Sequence, residues 1–174
     1  MPDFDDSNRT SPGDQIAALQ ARVARLEAER DVLSVIYRYG HAIDYGDEAD
    51  WLDCFLPDAE YDLRWPGPDG AELRFRGTAD LKEFFRGHTH APEAWHKHLV
   101  VKPIVEIAPD GLSATSRCYV LRVDHWKGAR EITAFGRYHD RLVRCEDGRW
   151  RFSRRLIELE SIEEELSAGH GVDT

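Results

Sequence analysis

Residues 35–63 read VIYRYGHAIDYGDEADWLDCFLPDAEYDL. At the start of this stretch Tyr37 continues a stripe made upstream by Ile16, Leu19, Val23, Leu26 and Leu33. The spacings are three and four, with Arg30 interrupting, as on one face of a helix. The last turns, RYGHAIDYGD (38–47), then carry tyrosines, a histidine and aspartates where a core helix would place aliphatics. At about 100° per residue, Asp44 falls on nearly the azimuth of Tyr37 and so continues the stripe. Two placements of Asp44 are open: a turn residue facing water, or a buried carboxylate that needs a hydrogen-bond donor.

Downstream, residues 48–55 form a short helix bearing Trp51, Leu52 and Phe55, stopped by Pro57-Asp58. AEYDLRW (59–65) and AELRFRG (71–77) flank a Pro/Gly-rich turn and read as a hairpin. Thr78 is placed to cap a third helix, ADLKEFFRG (79–87). The remainder alternates as strands over 98–107, 114–126, 131–145 and 150–159, separated by PDG and EDG turns. Helices followed by an antiparallel meander predict an α+β domain, a curved sheet wrapped around helices with a cone-shaped pocket between them. The expected organisation is a disordered leader over 1–13, one domain over 14–162 with a long first helix, and a flexible tail over 163–174. Upstream of Arg30 that helix is rich in Ala, Arg and Glu; it either projects onto a partner subunit or lies solvated on its own domain.

The chain has 174 residues, enough for one domain with a sizeable core. A net charge of −10 and scattered arginines argue against nucleic acid or an anionic membrane as partner. No apolar run approaches the ~20 residues of a membrane helix. The N-terminus is too acidic for a signal or transit peptide. Cys54, Cys118 and Cys145 lie far apart without a CxxC, which fits reduced thiols and a cytoplasmic location.

The donor for an inward Asp44 is sought in WHKHLVVKPIVEI (95–107), where alternation puts His96, His98 and Val100 on one strand face. A carboxylate beside an imidazole is the minimum for a general base: the carboxylate fixes the tautomer and the free nitrogen takes the proton. A metal could instead use His88, His90, His96 and His98, four imidazoles within eleven residues. Against it, the first pair sits in a Gly/Thr/Pro-rich loop, so no metal is expected. Arg122 shares strand parity with Cys118 and Val120, while Asp124 and His125 point to opposite faces. In WRFSRRLIELE (150–160) the double arginine interrupts the alternation, so one of Arg154 and Arg155 is expected to face inward; for these arginines and Arg122 a solvated face or a subunit salt bridge is the slightly favoured alternative. Ser116 and Cys145 lack a nucleophile context, and there is no phosphate-binding glycine loop.

Residues 35–63, HKHLVVKPIVEIAPDGLSATSRCYV (96–120) and GRYHDRLVRCEDGRWRFSRRLIEL (136–159) together resemble the SnoaL-like branch of the NTF2-like superfamily. That branch includes scytalone dehydratase, the hexachlorocyclohexane dehydrochlorinase and the bile-acid 7α-dehydratase. The resemblance implies a cone-shaped α+β barrel, normally a dimer or trimer, with no metal or organic cofactor in the dehydratases; open strand edges and the long stripe before Leu33 lead us to expect a trimer ahead of a dimer. Asp44 and His98 match the catalytic pair, Tyr39 a helix tyrosine, although helical geometry favours Tyr37, and Arg155, or Arg154 one position earlier, a last-strand arginine. The second histidine of the scytalone enzyme falls near Asp124 and His125. Tyr37, Trp51, Arg122, Asp124 and His125 are the expected substrate contacts. The implied activity is a cofactor-independent lyase that abstracts a proton and eliminates water or another β-substituent, with His98 as base, Asp44 as its orienter and Tyr39 or Arg155 as polariser or leaving-group acid. Its substrate would be a hydrophobic, steroid- or polyketide-like molecule. A ketosteroid-type isomerase shares the first step, and a non-catalytic subunit like the β-chain of ring-hydroxylating dioxygenases, or a binding module, shares the fold.

Overall fold

A computed structural model describes residues 11–65, 70–126 and 129–160. Most of the expected leader, the tip of the first hairpin and nearly all of the expected tail lie outside these residues. The first helix, α1, spans Pro12–Tyr45. Ser11 caps it: its hydroxyl accepts the Asp14 N–H, and the Asp14 carboxylate accepts from the Ser11 backbone N–H, so two otherwise unpaired donors are satisfied. Gly46 ends it at φ 76°, a left-handed conformation that glycine adopts without a Cβ penalty. Every residue as far as Glu27 is exposed, and burial begins at Ala28. The first ~24 Å of α1 therefore has no cover among the described residues. From there Val32, Val35, Ile36, Tyr39, Ala42, Ile43 and Asp44 are buried.

A short helix, α2 (Glu48–Asp53), follows, then strands β1 (Phe55–Arg64) and β2 (Glu72–Arg76), and helix α3 (Gly77–Gly87). The chain leaves α2 two residues before the expected end because Phe55 already pairs with the last strand. Thr78 is not the cap of α3; Arg76 holds that position, and the Thr78 hydroxyl donates to the Pro57 carbonyl instead. Four long strands complete the chain: β3 (His96–Ile107), β4 (Ser113–Trp126), β5 (Ala129–Arg144) and β6 (Trp150–Leu159).

The sheet order is β2-β1-β6-β5-β4-β3. All pairings are antiparallel except β1 with β6, which run parallel, so the predicted meander gains one long-range closure. The sheet is curved and does not close on itself; its concave face wraps the C-terminal half of α1, as the α+β reading requires. Gly136 lets β5 and β6 approach, since a Cβ there would overlap the Glu158 carbonyl oxygen. The aromatic core centres on the fully buried Trp51, whose ring lies 4.8 Å from Phe55 and 5.2 Å from Phe85.

Candidate active site

Between α1, α3 and the concave sheet face lies a cavity of about 170 Å³. Its wall is mostly apolar, with Ile43, Leu63, Phe84, Val120 and Ile157, and carries the polar ends of Tyr39, Tyr61, Tyr138, His88, His98 and Arg122. A larger cleft of about 270 Å³ lies elsewhere on the sheet, among exposed Glu106, Thr115, Arg117 and Arg141; its histidine, His139, is half-buried and pairs with Glu158 at 3.0 Å.

The last turn of α1 aims Asp44 inward, where it is 3 % exposed. One carboxylate oxygen, Oδ2, accepts the backbone N–H of His98 at 3.1 Å; the other, Oδ1, lies 2.6 Å from His98 Nδ1. Two contacts to one residue fix the imidazole plane and assign Nδ1 to the carboxylate, which leaves Nε2 for the cavity. His96, on the same face of β3, is fully buried, with Nε2 3.6 Å from Asp44 Oδ1.

Tyr37 is a correction to helical geometry. It shares the azimuth of Asp44 yet is 46 % exposed and contacts no part of the cavity. Azimuth alone does not determine cover: the loop before β3 folds over the end of α1, where the Ala91 N–H bonds the Asp44 carbonyl, and Tyr37 lies almost two turns earlier. Tyr39 is the inward tyrosine. Its hydroxyl is 2.7 Å from that of Tyr61. Burial raises the pKa of Tyr39, Tyr61 and Tyr138, so all three remain O–H donors near neutrality.

Of the paired arginines, Arg155 points in and Arg154 points out to Asp62 and Glu60. Arg155 does not reach the cavity. Its guanidinium sits behind the tyrosines, 4.0 Å from the Tyr39 ring centre, 4.4 Å from Tyr138 and 4.1 Å from Phe152. It donates to both oxygens of Asp140, at 2.8 and 2.9 Å, and Ser116 donates to the same carboxylate. Burial works against its charge, and Asp140 more than offsets that. Arg155 thus supports Tyr39 and Tyr138 from behind, and its expected role as an alternative polariser or leaving-group acid is corrected, since it does not line the cavity.

Trp51 is likewise core and not wall. Arg122 stands across from His98 in the β3–β4 register and lines the cavity. Asp124 holds it, accepting from Nε at 3.2 Å and Nη2 at 2.9 Å, and also accepts from the Thr133 hydroxyl. Asp124 is therefore behind Arg122 and not on the wall, while His125 is exposed on the other side of the strand. Three polar wall residues, Tyr61, Tyr138 and His88, escaped the sequence reading as contacts. Tyr61 follows from the alternation Ala59, Tyr61, Leu63 and Tyr138 from the alternation Gly136, Tyr138, Asp140; His88, at the end of α3, carries no local signal for its direction. The thiols of Cys54 and Cys118 are pushed by burial up to about 11, so neither is a ready nucleophile.

The profile of the SnoaL-like domain family matches residues 24–156. Similar solved structures include an NTF2-like protein with a cystatin-like fold from Novosphingobium aromaticivorans. It is 23% identical with a TM-score of 0.72, over 92% of this chain and 97% of that one. ActVI-ORFA from Streptomyces coelicolor is 25% identical with a TM-score of 0.60, over 76% and 96%. A protein assigned as the β subunit of an aromatic-ring-hydroxylating dioxygenase from Novosphingobium aromaticivorans is 16% identical with a TM-score of 0.67, over 81% and 94%. No curated protein gives a significant match. Among the described residues no helix is long and apolar enough to cross a membrane. The family profile covers more than half of the chain and agrees with the helices-then-curved-sheet order: the chain belongs to the SnoaL-like family, with the NTF2-like fold.

Proposed function

We propose that the protein is a cofactor-independent lyase in which His98 is the base and Asp44 orients it. The observation that carries this is the 2.6 Å Asp44–His98 contact beside a mostly apolar cavity. Burying a carboxylate and an imidazole together is costly unless the pair has work to do or is fully bonded. In the proposed step, His98 Nε2 takes a proton from a carbon next to a carbonyl. The C–H electrons form the new double bond, and the β-hydroxyl leaves as water with a proton from Tyr39. Asp44 stabilises the imidazolium formed, and Tyr39 stays protonated until needed. Arg155 and Asp140 keep Tyr39 in position. A cavity of about 170 Å³ suits one or two rings; a steroid or polyketide would enter by one end. Isomerisation begins with the same proton transfer and differs only in where the proton returns.

The test is hydrogen exchange. Small apolar ketones bearing a β-hydroxyl are incubated with the protein in D₂O, and deuterium at the α-carbon is followed by mass spectrometry. Exchange or elimination that persists in excess chelator and vanishes in His98→Ala supports the reading. A ligand that binds without exchange makes the chain a binding module or an assembly subunit.

We further propose that residues 14–162 act as one domain in a cytoplasmic setting and self-associate, as a trimer ahead of a dimer. Support comes from the unpaired cysteines and from the uncovered start of α1, where Ile16, Leu19, Val23 and Leu26 are all more than half exposed.

A further inference from the structure

The acid–base pair leaves one neighbour unexplained. His96 is fully buried, and neither of its ring nitrogens has a hydrogen-bond partner. A buried imidazole without partners is costly, and at 3.6 Å its Nε2 is too far from Asp44 Oδ1 to be bonded to it. His88 repeats the pattern: its Nδ1 is buried and unpartnered, and its ring centre is 5.1 Å from that of His96 and 5.5 Å from that of His98. Three imidazoles and a carboxylate thus surround one small volume, and among Asp44, His96 and His98 one donor atom from each lies within 4.8 Å of the others. His90 stands apart, over the Phe85 ring.

We propose that Asp44, His96 and His98 form a binding site for one borderline divalent cation of the Zn²⁺ type, with His88 as the fourth side chain in reach. Two or three imidazole nitrogens with one carboxylate oxygen are a donor set that suits Zn²⁺ and Co²⁺ and disfavours Mg²⁺ and Ca²⁺. Tetrahedral bonds of about 2.0–2.2 Å put neighbouring ligand atoms roughly 3.3–3.6 Å apart. The Asp44–His96 separation already fits, and the Asp44–His98 contact would open by less than about 1 Å. Neither His96 nitrogen is engaged by another group of the described residues, so a ring lone pair is available to a cation. Asp44 is anchored by the His98 backbone through Oδ2, which leaves Oδ1 aimed at the volume between the rings.

The site shares two residues with the proposed base and excludes it. A cation on His98 Nδ1 leaves the ring proton on Nε2, so the imidazole can no longer accept one from substrate. Metal occupancy would therefore switch the pocket off, by a route that needs no conformational change.

The experiment uses the full chain stripped with chelator, and no substrate, so its outcome is separate from that of the lyase reading. Co²⁺ is titrated with visible absorption, and Zn²⁺ by calorimetry. The expected result is one ion per chain with micromolar affinity or better and the intense visible bands of low-coordinate Co²⁺. His96→Gln, His98→Gln and Asp44→Asn should each weaken binding by about 100-fold or more. His41→Gln, on the exposed side of α1, should leave it unchanged. Native circular dichroism qualifies each variant, and Asp44→Asn, which keeps the shape, carries the test if His96→Gln does not fold. No saturable binding at millimolar metal, or binding undiminished in the folded site variants, would overturn the proposal.

Discussion

Replacing Arg155 by Met separates a packing role from a chemical one. The wild-type side chain is fully buried, gives two hydrogen bonds to Asp140 and lies within 4.4 Å of three ring centres. Met fills most of the volume but leaves the Asp140 carboxylate buried with only the Ser116 hydroxyl as side-chain donor. Removing one partner of a buried pair costs about 3–5 kcal/mol. For a chain of this size that is a fall in Tm of roughly 6–20 °C. Arg155→Lys keeps the charge and loses the fork, at about 1.5–3 kcal/mol. Replacing both partners, Arg155→Met with Asp140→Leu, removes the orphaned charge and should return stability to within about 2 kcal/mol of wild type. Thermal unfolding by circular dichroism and urea titration at pH 7 read all four proteins. If Arg155→Met instead keeps its Tm and loses all activity, the guanidinium works on substrate and its placement behind the tyrosines is mistaken. A double variant no more stable than the single would equally refute the ion-pair argument.

Burial raises the Asp53 carboxyl pKa, but the hydrogen bond from Arg151 and the charges of Arg149 and Arg38 pull it below its ordinary value. A depressed carboxylate stabilises above its unfolded pKa of ~3.9 and loses that contribution as pH falls through the lower folded value. Asp53→Asn should therefore cost about 1 kcal/mol at pH 7, with the gap to wild type in urea titrations narrowing below pH ~3.9; a gap that widens on acidification would refute it. Leu19→Glu with Leu26→Glu should shift sedimentation at micromolar concentration from an oligomer to a smaller species. A wild type that is already monomeric would sink the assembly proposal. Gly136→Ala should lower stability by about 1–3 kcal/mol, because the overlapping Glu158 carbonyl is backbone and cannot rotate away; a loss under ~0.5 kcal/mol would show that the strands part easily.

What the sequence disclosed followed the range of each signal. Strand alternation is local: it grouped His96 with His98 and Arg122 with Val120, and the structure turns both groups inward. Helical period brought Asp44 inward but also Tyr37, because period gives direction while cover depends on a loop from elsewhere in the chain. The rule that one of Arg154 and Arg155 turns inward could be read from alternation; that Asp140 receives it could not, since the partner is set by the β5–β6 register. Trp51 marked the right region and the wrong depth. The parallel β1–β6 pairing has no local signature, as both strands look like members of a meander. The pairing of Asp44 with His98, fifty-four residues away, came from the need of an inward carboxylate for a donor and from the family resemblance; no local pattern shows that the same carboxylate also stands beside His96.

The central claim is that His98 does the chemistry and Asp44 acts through it. Once a turned-over substrate is in hand, kcat/KM is measured for wild type, His98→Ala, Asp44→Asn and the double variant, with Tm recorded alongside. The account predicts a loss of roughly 10³-fold or more for His98→Ala and roughly 10²–10⁴-fold for Asp44→Asn. The double variant should be little worse than His98→Ala alone. Losses that multiply, or a His98→Ala protein with near-wild-type activity and native Tm, would contradict it.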